Sequence, residues 1–178
     1  GDDFLDYVNQ TCEIIISSSY NSIDDLNNSK DESVKNNLEE LRKNYVTKLG
    51  ENIQIRRFYC LDNSESFVTG YTHNNKIGAV VALSKEDSQL SKDICMQIVA
   101  SNPLGLDEKS LDKSILDNER DVYKAELDKI DKKDDIKRNI MDGKVKKFIS
   151  DNTLLNQPYI KDGSLNLQKI IKDNEIIS

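Results

Sequence analysis

Three cysteines and one histidine are the side chains in this sequence best suited to metal binding or nucleophilic catalysis. Cys12, Cys60 and Cys95 form no CxxC pair, and His73 is distant from all three. A structural zinc site needs four ligands at close spacing, and a disulfide framework uses an even number of cysteines. We therefore expect neither, and we predict that Cys12 and Cys95, which have apolar neighbours, are buried thiols in a reducing compartment.

The short patterns that mark other catalytic or cofactor sites are also missing. The chain has no GxxxxGKS/T or GxGxxG loop, so we expect no direct nucleotide binding. One histidine and no GxSxG argue against a serine or cysteine triad. The acidic pairs Asp24–Asp25 and Asp134–Asp135 lack calcium-loop spacing; the first suits a loop and the second the N-terminal turn of a helix. The sequence predicts no catalytic residue, no metal ligand and no cofactor.

Charge and hydrophobicity restrict the kind of partner. The chain has 178 residues and a formal net charge of −7, and an acidic surface repels phosphate backbones, so nucleic acid is a poor candidate partner. No apolar run approaches the ~20 residues of a membrane-spanning helix, so we expect no membrane partner. Gly1 does not resemble a natural initiator, and we expect a piece of a longer protein. These properties favour a second protein as the partner.

Apolar residues recur at helical spacing in the N-terminal part of the chain. They predict one helix over about residues 2 to 18 and a second with an apolar stripe from Val34 to Leu49. Gly50 can adopt the left-handed conformation that ends the second helix. The polar stretch Ser17–Lys30 between them, rich in Ser, Asn and Asp, is predicted to be a loop.

After this point the apolar period changes to that of β-strands. Alternation predicts a strand at Ile53–Leu61 and two more at Phe67–Tyr71 and Ile77–Leu83. The segment His73–Lys76 predicts a hairpin turn, because asparagine tolerates positive φ. The resulting fold class is α+β, with helices packed on small antiparallel sheets.

Further helices follow the strands. An apolar stripe that ends at Asn102–Pro103 predicts one of them. Between residues 111 and 149 charge dominates, and two narrow apolar stripes on either side of Asp131–Asp134 predict an antiparallel helical hairpin. In the tail, Ser164 is predicted to cap a last helix, and a strand is predicted to begin at Glu175–Ser178. The hairpin stripes comprise Leu116, Tyr123, Leu127 and Ile130 in one helix, and Ile136, Ile140, Val145 and Phe148 in the other.

Five segments together resemble the elongation factor Ts family, because they occur in the family's order and at similar spacing. They are KLGENIQIRR at residues 48–57, GYTH leading to IGAVV at residues 70–81, IVASNPL at residues 98–104, GKVKKF at residues 143–148 and LNQPYIKD at residues 155–162. The resemblance implies two core subdomains and an inserted antiparallel helical hairpin, which mediates dimerisation in some members. The predicted domains are an N-terminal core subdomain at 1–65, a C-terminal core subdomain at 66–106 and 156–178, and the hairpin at 107–155.

The resemblance also implies a function. Members of the family are guanine-nucleotide exchange factors, which bind the GTPase elongation factor Tu and promote GDP release without covalent chemistry. We expect the same here from a truncated core that lacks the N-terminal helical domain, the Thr-Asp-Phe-Val motif and the C-terminal module of the family. The alternative is a protein–protein binding or dimerisation module without exchange activity. Either would work in the bacterial cytoplasm or in an organelle matrix.

The resemblance singles out two partner-binding residues. His73 matches a histidine that contacts the GTPase domain of the partner, and a turn would let it reach outward. Leu49 matches an apolar residue that packs on the partner, but it also ends a helical stripe and could equally belong to the core. A homodimer through the helical hairpin is a further expectation, with Ile115, Val122 and Met141 as contact candidates.

Overall fold

The structure, a computed structural model, describes residues 1–61, 64 and 66–173 of the chain. Seven α-helices and two two-stranded antiparallel sheets lie in this part, which confirms the predicted α+β class. They fall into two compact units, Gly1–Asp62 and Asn63–Ser178. None of the described helices is long and apolar enough to cross a membrane.

Three helices build the first unit: α1 at Asp2–Ile16, α2 at Ile23–Asn28 and α3 at Ser33–Leu49. α1 and α3 pack against each other, and Ile15, Leu26 and Leu38, one from each helix, form the buried core. Gly50 ends α3 as predicted, because its φ of +71° lies in the left-handed region that glycine adopts without strain.

The predicted loop at Ser17–Lys30 is wrong, because α2 lies inside it. Ser22 precedes this helix, and its hydroxyl accepts a hydrogen bond from the backbone N–H of Asp25 at 3.1 Å. Asp24 and Asp25 occupy the first turn, where their charge suits the helix dipole. Leu26 is 3% exposed in the core. One buried leucine is a weak periodic signal, and a helix this short depends on tertiary packing for its stability.

The strand predicted at Ile53–Leu61 is also wrong. The segment has no regular secondary structure, and an isolated bridge joins Tyr59 to Ser22. Ile55 and Phe58 pack against the core of the first unit, whereas intervening residues are exposed. The alternation therefore reflects which side chains are buried, while a strand also needs a neighbouring segment to complete its hydrogen bonds.

The second unit begins with the sheet that the sequence predicts. It consists of β1 at Phe67–His73 and β2 at Ile77–Leu83, covered on one face by α4 at Ser88–Ser101. Asn74 and Asn75 have φ values of 52° and 55°, so the predicted hairpin turn is confirmed. Asn102, with a φ of 44°, ends α4 as predicted. The core between these elements comprises Leu83, Leu90, Ile94, Leu154 and Leu167.

The predicted helical hairpin is confirmed. It consists of a leading 3₁₀ turn at Glu108–Ser110, α5 at Lys113–Asp128 and α6 at Asp134–Asn152. Leu111, Leu116 and Ile149 form a buried cluster at its base. Ile130 and Ile136, which the sequence assigned to the seam, are 41% and 45% exposed, so the buried seam ends before the turn.

The tail folds into β3 at Pro158–Tyr159, β4 at Asp162–Asn166 and α7 at Leu167–Asp173. The two strands pair antiparallel and were not predicted. Ser164 lies within β4, where its N–H and hydroxyl donate to the Asp162 carboxylate, so the predicted Ser164 cap is wrong. Asn166 caps α7 instead, because its Oδ1 accepts from the N–H of Lys169 at 2.9 Å. The strand predicted at Glu175–Ser178 lies outside the described residues.

The two cysteines predicted to be buried differ. Cys95 on α4 is fully buried, and burial raises the pKa of its thiol. Cys12 is exposed, so its predicted burial is wrong. Tyr7, Thr11 and Ile15, spaced four residues apart, form the buried face of α1. Cys12 follows Thr11 and is rotated by about 100° around the helix axis, away from that face.

Candidate partner-binding site

His73 is the last residue of β1, at the tip of the β1–β2 hairpin. Asn74 and Asn75 turn the chain, and the N–H of Lys76 donates to the His73 carbonyl at 3.1 Å. The strand register places Ile77 opposite His73. These backbone contacts hold the tip in one conformation, and the His73 side chain is exposed to solvent.

Both ring nitrogens of His73 have polar neighbours. Nε2 lies 3.2 Å from the Asn74 side-chain nitrogen, and Nδ1 lies 3.2 Å from the Tyr71 hydroxyl. The Asn74 amide and the Tyr71 hydroxyl thus lie on either side of the ring, and these two contacts restrain the orientation of the imidazole.

Ile77 belongs to the same surface, although the sequence analysis did not assign it to the site. Its side chain is 55% exposed, and directly opposed side chains in an antiparallel pair lie about 5 Å apart at Cβ. An exposed isoleucine beside an exposed imidazole ring offers a partner apolar area and a ring to pack against. The position of Ile77 opposite His73 follows from the strand register, which the turn at Asn74 and Asn75 sets.

Leu49 is the last residue of α3, so the two predicted partner-binding residues lie in different units. Its side chain is partly buried and is not among the residues that form the core of the first unit. The neighbouring Lys48 forms an ion pair with Asp3 on α1 at 2.5 Å. Leu49 thus keeps part of its apolar surface exposed at the end of a helix that is tied to its neighbour.

A polar cluster on α1 and α3 fixes this end of α3. The Tyr45 hydroxyl donates to the Asp6 carboxylate, and the Gln10 side-chain amide donates to the same hydroxyl at 2.8 Å. The hydrogen bond from Tyr45 lowers the pKa of Asp6 below its usual value, and the same bond raises the pKa of Tyr45. These contacts position Leu49 by aligning the two helices.

An open cleft of about 620 Å³ lies beside α2, α3 and the segment at residues 52–55 of the first unit. Arg42 lines it and donates to both carboxylate oxygens of Glu39, at 2.8 and 2.9 Å, and to the Ile53 carbonyl at 3.2 Å. These contacts hold the segment on α3. In the described ranges, no three His, Cys, Asp or Glu side chains converge in a way that could hold a metal ion.

These features define a class: an α+β protein in which a small antiparallel sheet presents an oriented histidine at its tip and a helical hairpin is inserted before the tail. The family model described as Elongation factor TS matches residues 1–177. The chain therefore belongs to the elongation factor Ts family.

Individual relatives agree with this assignment. The chain is 32% identical to elongation factor Ts of Thioalkalivibrio sulfidiphilus, over 96% of this chain and 58% of that protein. It is 33% identical to elongation factor Ts of Clostridium acetobutylicum, again over 96% of this chain and 58% of that protein. It is 31% identical to elongation factor Ts of Legionella pneumophila, over 99% of this chain and 61% of that protein. The chain thus spans about three fifths of the length of these relatives.

Proposed function

We propose that this chain is the core of a guanine-nucleotide exchange factor that binds the GTPase elongation factor Tu and promotes release of its GDP. Family membership and the names of the relatives support the proposal. The observation that carries it is the tip of the β1–β2 hairpin, where His73 is exposed and both of its ring nitrogens are engaged. An imidazole restrained in this way loses less side-chain freedom when it contacts a partner.

The proposed mechanism is a linkage between two binding equilibria. A factor that binds the GTPase more tightly without GDP than with it must weaken GDP binding by the same factor. Such coupling requires a contact surface that favours one state of the partner, and it requires no acid, base or nucleophile on this chain. We assign His73 and Ile77 of the second unit, and separately Leu49 of the first unit, as residues that contact the partner. The proposal assigns no nucleotide, metal or cofactor to the chain itself.

The proposal also concerns the compartment in which the protein acts and the class of partner that it binds. We propose that it acts with elongation factor Tu in the bacterial cytoplasm or in the matrix of an organelle. The net charge of −7 supports a protein partner over nucleic acid, because like charges repel at long range.

Titration of the chain with nucleotide-free elongation factor Tu tests the proposal. We expect saturable binding, and we expect His73→Ala to weaken it by about 2 kcal/mol, roughly 30-fold, as for a central contact residue. Lys132→Glu at the exposed turn of the helical hairpin is the control and should leave the affinity unchanged. Absence of binding, or equal effects of the two substitutions, would contradict the proposal.

A second candidate function is a protein–protein binding or dimerisation module without exchange activity, with the helical hairpin as the dimer contact. Val122 on α5 is 52% exposed, and Ile115 and Met141 are partly buried, so apolar surface remains outside the seam between the two helices. Sedimentation should then detect a dimer that Val122→Asp converts to a monomer, because the carboxylate would have to be buried in the interface. A monomer at high micromolar concentration would exclude this function.

A further inference from the structure

One face of α4 carries a row of polar side chains that point at the segment following α6. Asp93, Gln97 and Ser101 are spaced four residues apart, so they lie on the same face of the helix. The Tyr159 hydroxyl donates to Asp93 at 2.9 Å, and the N–H of Ile160 donates to the Gln97 side-chain oxygen at 3.2 Å. Burial, together with the bond to Asp93, raises the pKa of Tyr159 to about 12, so the hydroxyl keeps its proton.

Gln157 is the centre of this network and contacts two helices through one side chain. Its Oε1 accepts from the Gln97 side-chain nitrogen at 3.3 Å and lies 2.8 Å from the Ser101 hydroxyl, whose one proton is shared between this oxygen and the Gln97 carbonyl at 2.7 Å; both residues are on α4. Its Nε2 donates to the Asp151 carbonyl in the last turn of α6 at 2.9 Å. Gln157 is 4% exposed, and a buried amide whose oxygen and nitrogen both have partners favours the arrangement of the elements that supply them.

The backbone holds the two ends of the helical hairpin together at the same place. Three hydrogen bonds of 2.8 to 2.9 Å connect the chain entering the hairpin with the chain leaving it. They run from the N–H of Leu104 to the Asn152 carbonyl, from Leu154 to Gly105 and from Leu155 to Leu106. This pairing closes the base of the hairpin. The Gln157 side chain adds contacts that connect α6 directly with α4.

We propose that Gln157 is a positioning residue that sets the direction of the α5–α6 hairpin relative to α4, so that the hairpin and α4 move as one body. The β1–β2 sheet packs directly on α4, and Thr69 on β1 donates to Ser91 on α4 at 2.9 Å. A protein that binds the hairpin would therefore act, through Gln157 and α4, on the sheet whose tip carries His73. This inference does not depend on the identity of the partner.

Distance measurements between two spin labels test the inference in the full chain. Non-natural amino acids carrying the labels are placed at Lys92, exposed on α4, and at Lys132, in the hairpin turn, so that the native cysteines stay unlabelled. The unsubstituted chain should give one narrow distance distribution. Gln157→Ala should lose the narrow distribution and give a broad one, while thermal unfolding stays cooperative.

The adjacent amide supplies a matched control. Asn156 donates to the Thr153 hydroxyl at 2.8 Å, so Asn156→Ala removes a similar bond at the hairpin base without removing a bond to α4. It should keep the narrow distribution. If Gln157→Ala does not fold, Ser101→Ala removes one bond of the same network at an exposed position and should broaden the distribution. The inference is overturned if Gln157→Ala, or Ser101→Ala in its place, folds and keeps the narrow distribution. It is also overturned if Asn156→Ala broadens the distribution equally.

Discussion

The conformation of the hairpin tip rests on single residues, and Asn75 is one of them, with a φ of 55°. A β-branched side chain is strained in this region, whereas glycine is not. We expect Asn75→Val to reduce the free energy of unfolding by about 1–2 kcal/mol. Asn75→Gly is the matched control and should change stability little. Urea denaturation followed by circular dichroism measures both, and equal stability of the two variants would contradict the expectation.

The hydrogen bond between Tyr45 and Asp6 predicts a dependence of stability on pH. The folded pKa of Asp6 is lowered, so its contribution is complete above the unfolded pKa of about 4 and is lost as pH falls through the folded pKa. The folded pKa of Tyr45 is raised, so its contribution is complete below an unfolded pKa of about 10 and is lost as pH rises through the folded pKa. The bond therefore stabilises the fold between these limits.

Removal of the Tyr45 hydroxyl tests this dependence. Tyr45→Phe should reduce the urea midpoint at neutral pH, and the difference from the unsubstituted chain should shrink as the solution is acidified below about pH 4. Tyr20→Phe removes a hydroxyl that pairs with the neutral Ser29 at 2.7 Å, and its effect should not vary over the same acid range. A Tyr45→Phe difference that stays constant down to pH 2 would show that Asp6 does not contribute in this way.

The helical hairpin is the element whose independence can be tested. Its entry and exit are joined by backbone hydrogen bonds at residues 104–106 and 152–155, which lie outside the helices' central turns. We therefore expect that replacing residues 113–147 with a short Gly/Ser link leaves the rest of the chain folded. Loss of Leu116 from the basal cluster with Ile149 should lower the unfolding temperature.

Calorimetry and circular dichroism of this deletion variant should show a cooperative transition and retained sheet signal. The control replaces only the turn at residues 129–133 with Gly/Ser and keeps the basal cluster, so its unfolding temperature should stay closer to that of the full chain. A deletion variant without a cooperative transition would mean that the hairpin is part of the core. The predicted division of the chain at residues 107 and 155 would then be wrong.

For the molecule as a whole, we expect binding to elongation factor Tu and stimulation of GDP release to separate. The sequence keeps His73 and Leu49 but contains no Thr-Asp-Phe-Val. The resemblance to the family implies that this motif acts at the magnesium site of the partner. Binding uses a broad surface, whereas release depends on contacts that weaken GDP selectively. Residues 1–178 alone should bind nucleotide-free elongation factor Tu measurably, with GDP release barely faster than the spontaneous rate.

Release of a fluorescent GDP analogue from elongation factor Tu measures the second quantity, and titration measures the first. A chain extended at its N-terminus by Thr-Asp-Phe-Val and the residues that join it is the matched comparison and should release GDP faster. Full exchange activity from residues 1–178 would show that this core carries the whole mechanism. Equal release rates for the two chains would show that the missing motif does not explain slow GDP release with residues 1–178.

The sequence by itself determined the features that depend on neighbouring residues. Helical periodicity predicted α1, α3 and α4 and both helices of the hairpin, because one apolar face per helix is a local property of the chain. Gly50, Asn74, Asn75 and Asn102 have positive φ, and their residue types indicated where helices end and where the β-hairpin turns. The asparagines of the predicted turn also placed His73 at the tip of the β-hairpin.

Only the tertiary structure decided the features that depend on segments distant in the chain. Leu26 stabilises α2 through the core, and the segment at Ile53–Leu61 stays without a ladder because a strand exists only where another segment completes its hydrogen bonds. The contacts of Gln157 with two helices are of the same kind. Their stability comes from pairs of groups brought together by the fold, and no local residue pattern specifies which distant groups will meet.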